Sequence, residues 1–269
     1  MAKKPTNNPL RLLHCDDQNC HGFVIEILHE QALADAIARV MMQRHGAALK
    51  VLTGKPAPVK LPLDQIEDII SKRIRIRSDH RDGLLFQLIT WLASHLDATQ
   101  HDVVLPPQIR TADKGQDSII VHLSSAKSIA AVSICEDKAT INPRSTITKK
   151  VWPEILEYEN GGRVDELREH AISALVQQHI DRYIAEEVAS TILWEEARRY
   201  RVRITASEEE RPPSGRTHMF NGFSEKAPGE KIRRRGETLH INNVREWMNQ
   251  FANKVEQSLM ATVEEKDNV

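Results

Sequence analysis

The chain has 269 residues, of which 40% are hydrophobic and 28% are charged, and its formal net charge is −1. This is the composition of an ordinary globular protein with an aliphatic core, because only 4% of the residues are aromatic. It excludes a protein that binds polyanions through its overall charge, so a nucleic-acid site must come from local clusters of Lys and Arg.

The chain has only three cysteines, and this low and odd number argues against a disulfide framework and favours a reducing compartment. The sequence has no apolar run of membrane-spanning length, and its basic start is not followed by the pattern of a secretion signal. We therefore expect a cytoplasmic protein without membrane contact.

The first third of the chain has mainly helical periodicity. Residues 1–9 are polar, and we expect an N-terminal extension up to residue 22. The spacing of apolar residues then predicts a strand at 23–28 and helices at 30–45, 63–71 and 82–97. The last of these is so apolar that it should be buried.

The pattern changes to short β runs in the middle of the chain. Residues 118–123 and 129–135 are apolar and are separated by a Ser-Ser-Ala-Lys turn, which predicts an antiparallel hairpin. Further on, the sequence predicts helices within 163–199, a strand at 200–205 and a helix at 242–262. We expect a main domain at 23–206, a flexible basic loop at 207–236 and a C-terminal helical segment at 237–269 that packs on the core.

Three charged residues meet at one end of the predicted hairpin. Glu136 and Lys138 are two residues apart on a strand, so their side chains leave the same face. Pairing residue 124 with residue 128 places Asp117 opposite Cys135, next to Glu136. Two carboxylates offer the hard oxygen ligands that Mg²⁺ prefers, and a nearby lysine can orient water or stabilise charge on a phosphate.

This pattern resembles the PD-(D/E)xK nuclease superfamily. The residues that carry the resemblance are Gly115-Gln-Asp117, two apolar strands and Glu136-Asp-Lys138. The resemblance implies an α/β fold, with a restriction-endonuclease-like core of a mixed central sheet and flanking helices. It also implies that Asp117 and Glu136 bind Mg²⁺ or Mn²⁺, that Lys138 is catalytic, and that the helix before the hairpin adds a catalytic acid. Asp82 is the first candidate for that acid and Asp79 the second. DNA is the expected substrate, with RNA still open.

The layout is also similar to the nuclease subunits of the Hachiman anti-phage defence system, which work with a helicase. This resemblance rests on the GxD and ExK motifs and on the C-terminal strand and helix. It implies an effector nuclease that a helicase or other NTPase partner controls, and the chain itself has no GxxxxGK[ST] phosphate-binding loop. The helix at 82–97 could dock the partner, as could the stripe of Trp247, Met248, Phe251 and Val255, and core packing is the alternative use of both.

Two other functions fit the same residues. The nuclease scaffold could be a catalytically inactive module that binds nucleic acid or a protein partner, or it could be a stand-alone restriction endonuclease. Glu136 and Lys138 could also be solvated charges at an exposed strand end.

Two basic clusters are candidates for phosphate contacts, with an ordinary solvated surface as the alternative. The candidate nucleic-acid-binding residues are Arg73, Arg75, Arg77, Lys231, Arg233, Arg234 and Arg235.

A cluster of His and Cys near the N-terminus is a candidate metal site, with ordinary loop residues as the alternative. Its members are His14, Cys15, Cys20 and His21.

Overall fold

The computed structural model describes residues 8–107, 118–124 and 128–264. These residues form a seven-stranded mixed sheet in the order β1-β2-β7-β6-β5-β4-β3. The strands are Leu10–Asp16 (β1), His21–Ile27 (β2), Asp102–Val104 (β3), Ser118–Leu123 (β4), Ile129–Lys138 (β5), Arg198–Ala206 (β6) and Arg234–His240 (β7). Strands β2, β7, β6 and β5 are parallel to one another, and the outer strands are antiparallel. The predicted α/β class with a mixed sheet and flanking helices is confirmed at this level.

Helices cover both faces of the sheet. One face, the α4 face, is covered by α1 (Glu30–Met41), α2 (His45–Leu52), α3 (Leu63–Arg73), α4 (Ser78–Asp97) and α12 (Val244–Met260). The remaining helical elements follow β5 or β6 in the chain. They are α5 (Pro143–Thr146), a π-helical turn (Ile147–Val151), α6 (Trp152–Glu159), α7 (Val164–Gln177), α8 (Arg182–Ser190), α9 (Trp194–Ala197), α10 (Pro213–Met219) and α11 (Phe223–Lys226). From the π-helical turn onward, they pack on the other face, the α6 face. Each face therefore has its own apolar core.

The strongly periodic elements lie where the sequence predicts them. The hairpin of β4 and β5 and the helices α1, α3, α4 and α12 are confirmed within a few residues. Helix α4 is buried along nearly its whole length because it lies between the sheet and the neighbouring helices α1, α2 and α12. Its uniform apolarity follows from that position.

Two segments differ from expectation. Residues 10–16, expected within an N-terminal extension, form β1, because β2 offers it a hydrogen-bonding edge. Residues 207–236, expected to be a loop, contain α10, α11 and the start of β7, and the side chains of Phe220 and Phe223 are fully buried. The Pro and Gly residues of this segment separate short elements, and its aromatic residues fill the core of the α6 face.

Among the described residues, no helix combines the length and the apolarity needed to cross a lipid bilayer.

Candidate active site

Glu136 and Lys138 lie at the C-terminal end of β5, an interior strand of the sheet. They follow Val132 and Ile134 in the alternation along the strand, so all four side chains are on the α6 face. The Nζ atom of Lys138 donates a hydrogen bond to Oε2 of Glu136 at 2.9 Å. Only 4% of the Glu136 side chain is exposed, against 21% for Lys138. Glu136 is therefore not a solvated charge at a strand end.

Helix α6 adds groups that the sequence motif did not include. Glu154 Oε2 lies 3.8 Å from Lys138 Nζ, and Tyr158 is one helical turn further on. Burial raises the pKa of the Tyr158 hydroxyl, so it stays a neutral phenol. The spacing of these two residues by four places both on one side of a helix, but no signal in the sequence connects that side with Glu136.

Arg163 completes the polar surroundings of Glu136. Its guanidinium carbon lies 4.9 Å from the ring centre of Tyr158, and its Nε donates to Glu166 at 2.6 Å. Burial works to lower the pKa of Arg163, but Glu166, Tyr158 and Glu136 together raise it above its ordinary value. The backbone of Arg163 is left-handed, with a φ of 61°.

Asp117, the predicted first acid, lies outside the described residues. The hairpin itself is one residue out of the expected register, because Cys135 pairs with Ser118. Close to the turn, the expected pairing holds, and the backbone N–H of Ser124 donates to the carbonyl of Ser128. An irregularity between His122 and Leu123 then shifts the register by one.

Asp82 is placed differently from the other predicted acids. It is fully buried in α4, where its Oδ1 accepts a hydrogen bond from Arg81 at 2.9 Å and its Oδ2 accepts one from Arg245 at 2.7 Å. Helix α4 packs on the face opposite to Glu136 and Lys138. Asp82 thus anchors α12 to α4 through Arg245. Asp79 is half-exposed and pairs with Arg77 at 2.9 Å.

The first basic cluster consists of Arg73, Arg75 and Arg77, and each of these side chains has a different partner. Arg73 donates to the carbonyl of Met41 at the end of α1, and burial lowers its pKa. Arg75 pairs with Glu256 on α12 and Arg77 pairs with Asp79, both on the surface. Exposed pairs of this kind contribute about 0–1 kcal/mol, so Arg75 and Arg77 remain available to other anions.

In the second basic cluster, the three arginines are largely buried and only Lys231 lies at the surface. Arg234 is buried and donates to the carbonyls of Asn19, Ala227 and Gly229. The other three members form ion pairs, which are Lys231 with Asp16, Arg233 with Glu159, and Arg235 with Asp97 and Glu237. The arginines hold the start of β7 in the fold, so the prediction that they form a phosphate-binding loop does not match their positions.

The His and Cys cluster lies on the β1–β2 hairpin. His14 packs edge-on against Phe23, with 4.4 Å between ring centres, and Cys20 is buried with its Sγ 3.3 Å from Arg216. In the part of the chain that the structure describes, no group of three or more His, Cys, Asp or Glu side chains is close enough to hold a metal ion. These residues contribute to packing.

A second polar cluster joins three strands on the α4 face. Asp102 Oδ1 lies 2.6 Å from Nδ1 of His122, and Nε2 of the same ring lies 2.7 Å from Oγ of Ser133. The order of groups is that of a hydrolytic triad, but Ser133 lies within β5 between two paired neighbours rather than on an exposed turn. We therefore interpret the cluster as a connection between β3, β4 and β5.

No protein-family model matches this chain, and no curated protein matches it either. The functional assignment therefore depends on the geometry described above.

Proposed function

We propose that the protein is a metal-dependent nuclease of the PD-(D/E)xK type that hydrolyses DNA phosphodiester bonds. The observation that supports this most directly is the buried carboxylate of Glu136, joined at 2.9 Å to the half-buried Lys138 on one face at the end of an interior strand. The setting supports it as well, since a buried helix precedes the apolar hairpin and helices follow it. Burying a carboxylate is costly, and a catalytic role would account for keeping it.

We propose that Glu136 supplies one ligand of a hard divalent cation. Carboxylate oxygens of the kind that Glu136 offers are preferred ligands of Mg²⁺ and Mn²⁺, and Asp117 is the proposed second ligand. A bound cation would supply an activated water and neutralise charge on the phosphate. Lys138 holds Glu136 in position and presents its ammonium to the attacked phosphate, and Arg163 adds positive charge from the other side.

The first prediction is that Glu136→Gln and Lys138→Ala each reduce cleavage by about 100-fold or more, because each removes a group that acts on the transition state. Plasmid cleavage with Mg²⁺ or Mn²⁺ is the measurement, alongside thermal melting. Glu187→Gln on exposed α8 is the matched control and should cleave at the wild-type rate.

Wild-type cleavage by folded Lys138→Ala would contradict the nuclease assignment. DNA binding by the wild-type protein without any metal-dependent cleavage would instead favour the inactive nucleic-acid-binding module. Discrete DNA fragments would favour a stand-alone restriction endonuclease.

We further propose that the nuclease is the effector of an anti-phage complex and is controlled by a helicase or other NTPase partner. The two helical stripes considered for docking are used elsewhere, since α4, Met248, Phe251 and Val255 are buried in the core. Exposed apolar side chains occur instead on and after α8. Tyr183, Ile184 and Leu193 are 70%, 53% and 68% exposed. This surface is a better candidate for a partner than either core helix.

A further inference from the structure

The segment that leaves the candidate site is strongly basic. Residues 139–153, directly after Lys138, contain Arg144, Lys149 and Lys150 but no Asp or Glu, in a chain whose net charge is −1. The segment runs from the end of β5 through α5 and the π-helical turn into α6. Local positive charge of this kind is what a neutral protein needs in order to bind a polyanion.

Lys149 and Lys150 lie on the outer side of the π-helical turn. Ile147 and Val151 of the same turn are fully buried and fix it against the sheet, whereas both lysines are exposed. Neither lysine forms an ion pair with a described residue. The two ammonium groups are therefore held at a defined place on the surface by a well-packed turn.

The helical geometry places these lysines in the turn before Glu154 of the candidate site. Glu154, which lies 3.8 Å from Lys138, follows Lys149 by five residues and Lys150 by four. A π-helical turn closes bonds from i to i+5 and an α-helix from i to i+4, so both lysines lie about one turn from Glu154. Single π turns within helices are frequent at functional sites, and this one widens the helix where it passes the site.

We propose that Lys149 and Lys150 bind consecutive phosphates of the nucleic-acid backbone and lead that strand to Glu136 and Lys138. The inference rests on the proposed nuclease function and names the surface through which the substrate is held. Recognition is independent of base sequence, because ammonium groups contact phosphates and carry no information about the bases. This surface takes the role that the sequence had suggested for Arg233, Arg234 and Arg235, whose side chains are engaged inside the fold.

The test is equilibrium binding without metal, so that cleavage does not interfere. Fluorescence anisotropy with short labelled DNA duplexes of two unrelated sequences would compare the wild type with the double variant Lys149→Ala/Lys150→Ala over a range of salt concentrations. We expect affinity to fall about tenfold or more for both sequences, and the slope of log K against log salt to become shallower by about 1.8, which is about 0.9 for each lost phosphate contact.

The matched control is Lys50→Ala/Lys55→Ala, which removes the same charge from exposed positions near α2 on the other side of the sheet. It should leave the salt slope unchanged. If the π-turn variant and the control lose affinity equally, or if the salt slope of the π-turn variant stays at the wild-type value, the inference is wrong. Absence of DNA binding by the wild type would overturn it as well.

Different experimental results would contradict this inference and the proposed nuclease function. Lysine-dependent binding without metal-dependent cleavage would leave the phosphate-binding surface in place and remove the nuclease assignment. If cleavage needs Glu136 but the lysine variant changes neither affinity nor rate, the nuclease assignment would stand and the phosphate-binding surface would be wrong. The charge-reversed variant Lys149→Glu/Lys150→Glu should lose more affinity than the alanine variant while melting at a similar temperature.

Discussion

Asp137 lies between the two motif residues Glu136 and Lys138, but it serves the other face of the sheet. Its carboxylate pairs with the fully buried Arg203, with contacts of 2.5 Å to Nε and 2.6 Å to Nη2. Arg203 also donates to Thr90 and Ser94 of α4. Burial works to lower the pKa of Arg203, but Asp137 more than offsets this and the pKa is raised. Because side chains alternate along β5, Glu136 faces the candidate site, whereas Asp137 faces Arg203 on the opposite side of the sheet.

We predict that Asp137→Asn destabilises the protein by about 3–5 kcal/mol, because it leaves Arg203 as a buried charge without its counter-ion. Urea denaturation is the measurement. Asp165→Asn is the control, since Asp165 pairs with Arg168 on the surface and its side chain is 95% exposed, and its loss should cost less than about 1 kcal/mol. Equal stability of the two variants would contradict the structural role. If Asp137→Asn is destabilised as predicted, a loss of the proposed nuclease activity in this variant would reflect unfolding rather than catalysis.

His95 makes stability depend on pH. Burial, with a smaller effect from His45, lowers the pKa of His95 to about 4, so the folded state keeps its ring neutral against Trp91. The folded pKa is below the unfolded value of about 6.5. This contribution to stability is therefore complete above about pH 6.5 and is lost as the pH falls towards 4.

We predict that His95→Gln flattens the loss of stability between about pH 6.5 and 4, where one titrating group contributes at most about 1.4 kcal/mol per pH unit. Denaturant midpoints at several pH values would measure it. The control is His218→Gln, which removes an exposed histidine and should follow the wild-type curve. A His95→Gln profile parallel to that of the wild type would show that His95 does not carry this dependence.

At the level of elements, the contact between β2 and β7 depends on two facing glycines. Gly22 pairs with Gly236, and a Cβ atom built on Gly22 would lie 1.8 Å from the carbonyl oxygen of Gly236. A Cβ on Gly236 would lie 2.7 Å from the ring of Phe220. The two strands and α10 approach one another closely only because both side chains are absent.

We predict that Gly22→Ala costs about 3 kcal/mol or more, since the methyl group meets backbone and the φ of 155° suits glycine. Gly83→Ala is the opposite control. Nothing lies within 4 Å of a Cβ at this position in α4, and the change should stabilise the helix by about 0.5–1 kcal/mol. Both effects would be read from urea midpoints, and an unchanged midpoint for Gly22→Ala would contradict the close contact.

The elements that the sequence predicted are those whose apolar residues form a clear pattern, either periodic, as in α12, or continuous, as in α4 and the β4–β5 hairpin. Strand β7 was missed although it lies inside the sheet, because its buried positions include Arg234, Glu237 and Thr238 and it has only one large apolar residue, Leu239. Buried ion pairs replace the apolar alternation on which strand prediction depends.

The candidate site could be predicted only along its own strand. The shared face of Glu136 and Lys138 follows from spacing alone, and their 2.9 Å contact agrees with it. Glu154 and Arg163 reach the site from α6 and the turn before α7, which depends on how these helices pack. Asp82 was chosen for its place in the sequence before the hairpin, but its neighbours in the fold are arginines.

In the whole molecule, whose net charge is near zero, the basic side chains include buried, paired groups as well as exposed groups. Arg201, Arg203 and Arg235 are paired with Asp97, Asp137 and Glu237 beneath the sheet on the α4 face. The lysines of the π-helical turn remain on the surface. Counting charges in the sequence does not distinguish these groups, which is why the basic cluster at 231–235 was the more prominent candidate.

The position of β7 also constrains the order in which a nascent chain can fold. Strand β2 needs β7 as its inner neighbour, but about 200 residues separate the two in the chain. At ribosomal rates of about 5–20 residues per second, roughly 10–40 s pass between their synthesis. During this interval, the β1–β2 hairpin presents an unpaired edge, and β6 presents another once it has been synthesised shortly before β7; such edges invite aggregation. The surface that would hold nucleic acid is thus synthesised before the sheet is complete, while β2 still lacks its inner neighbour.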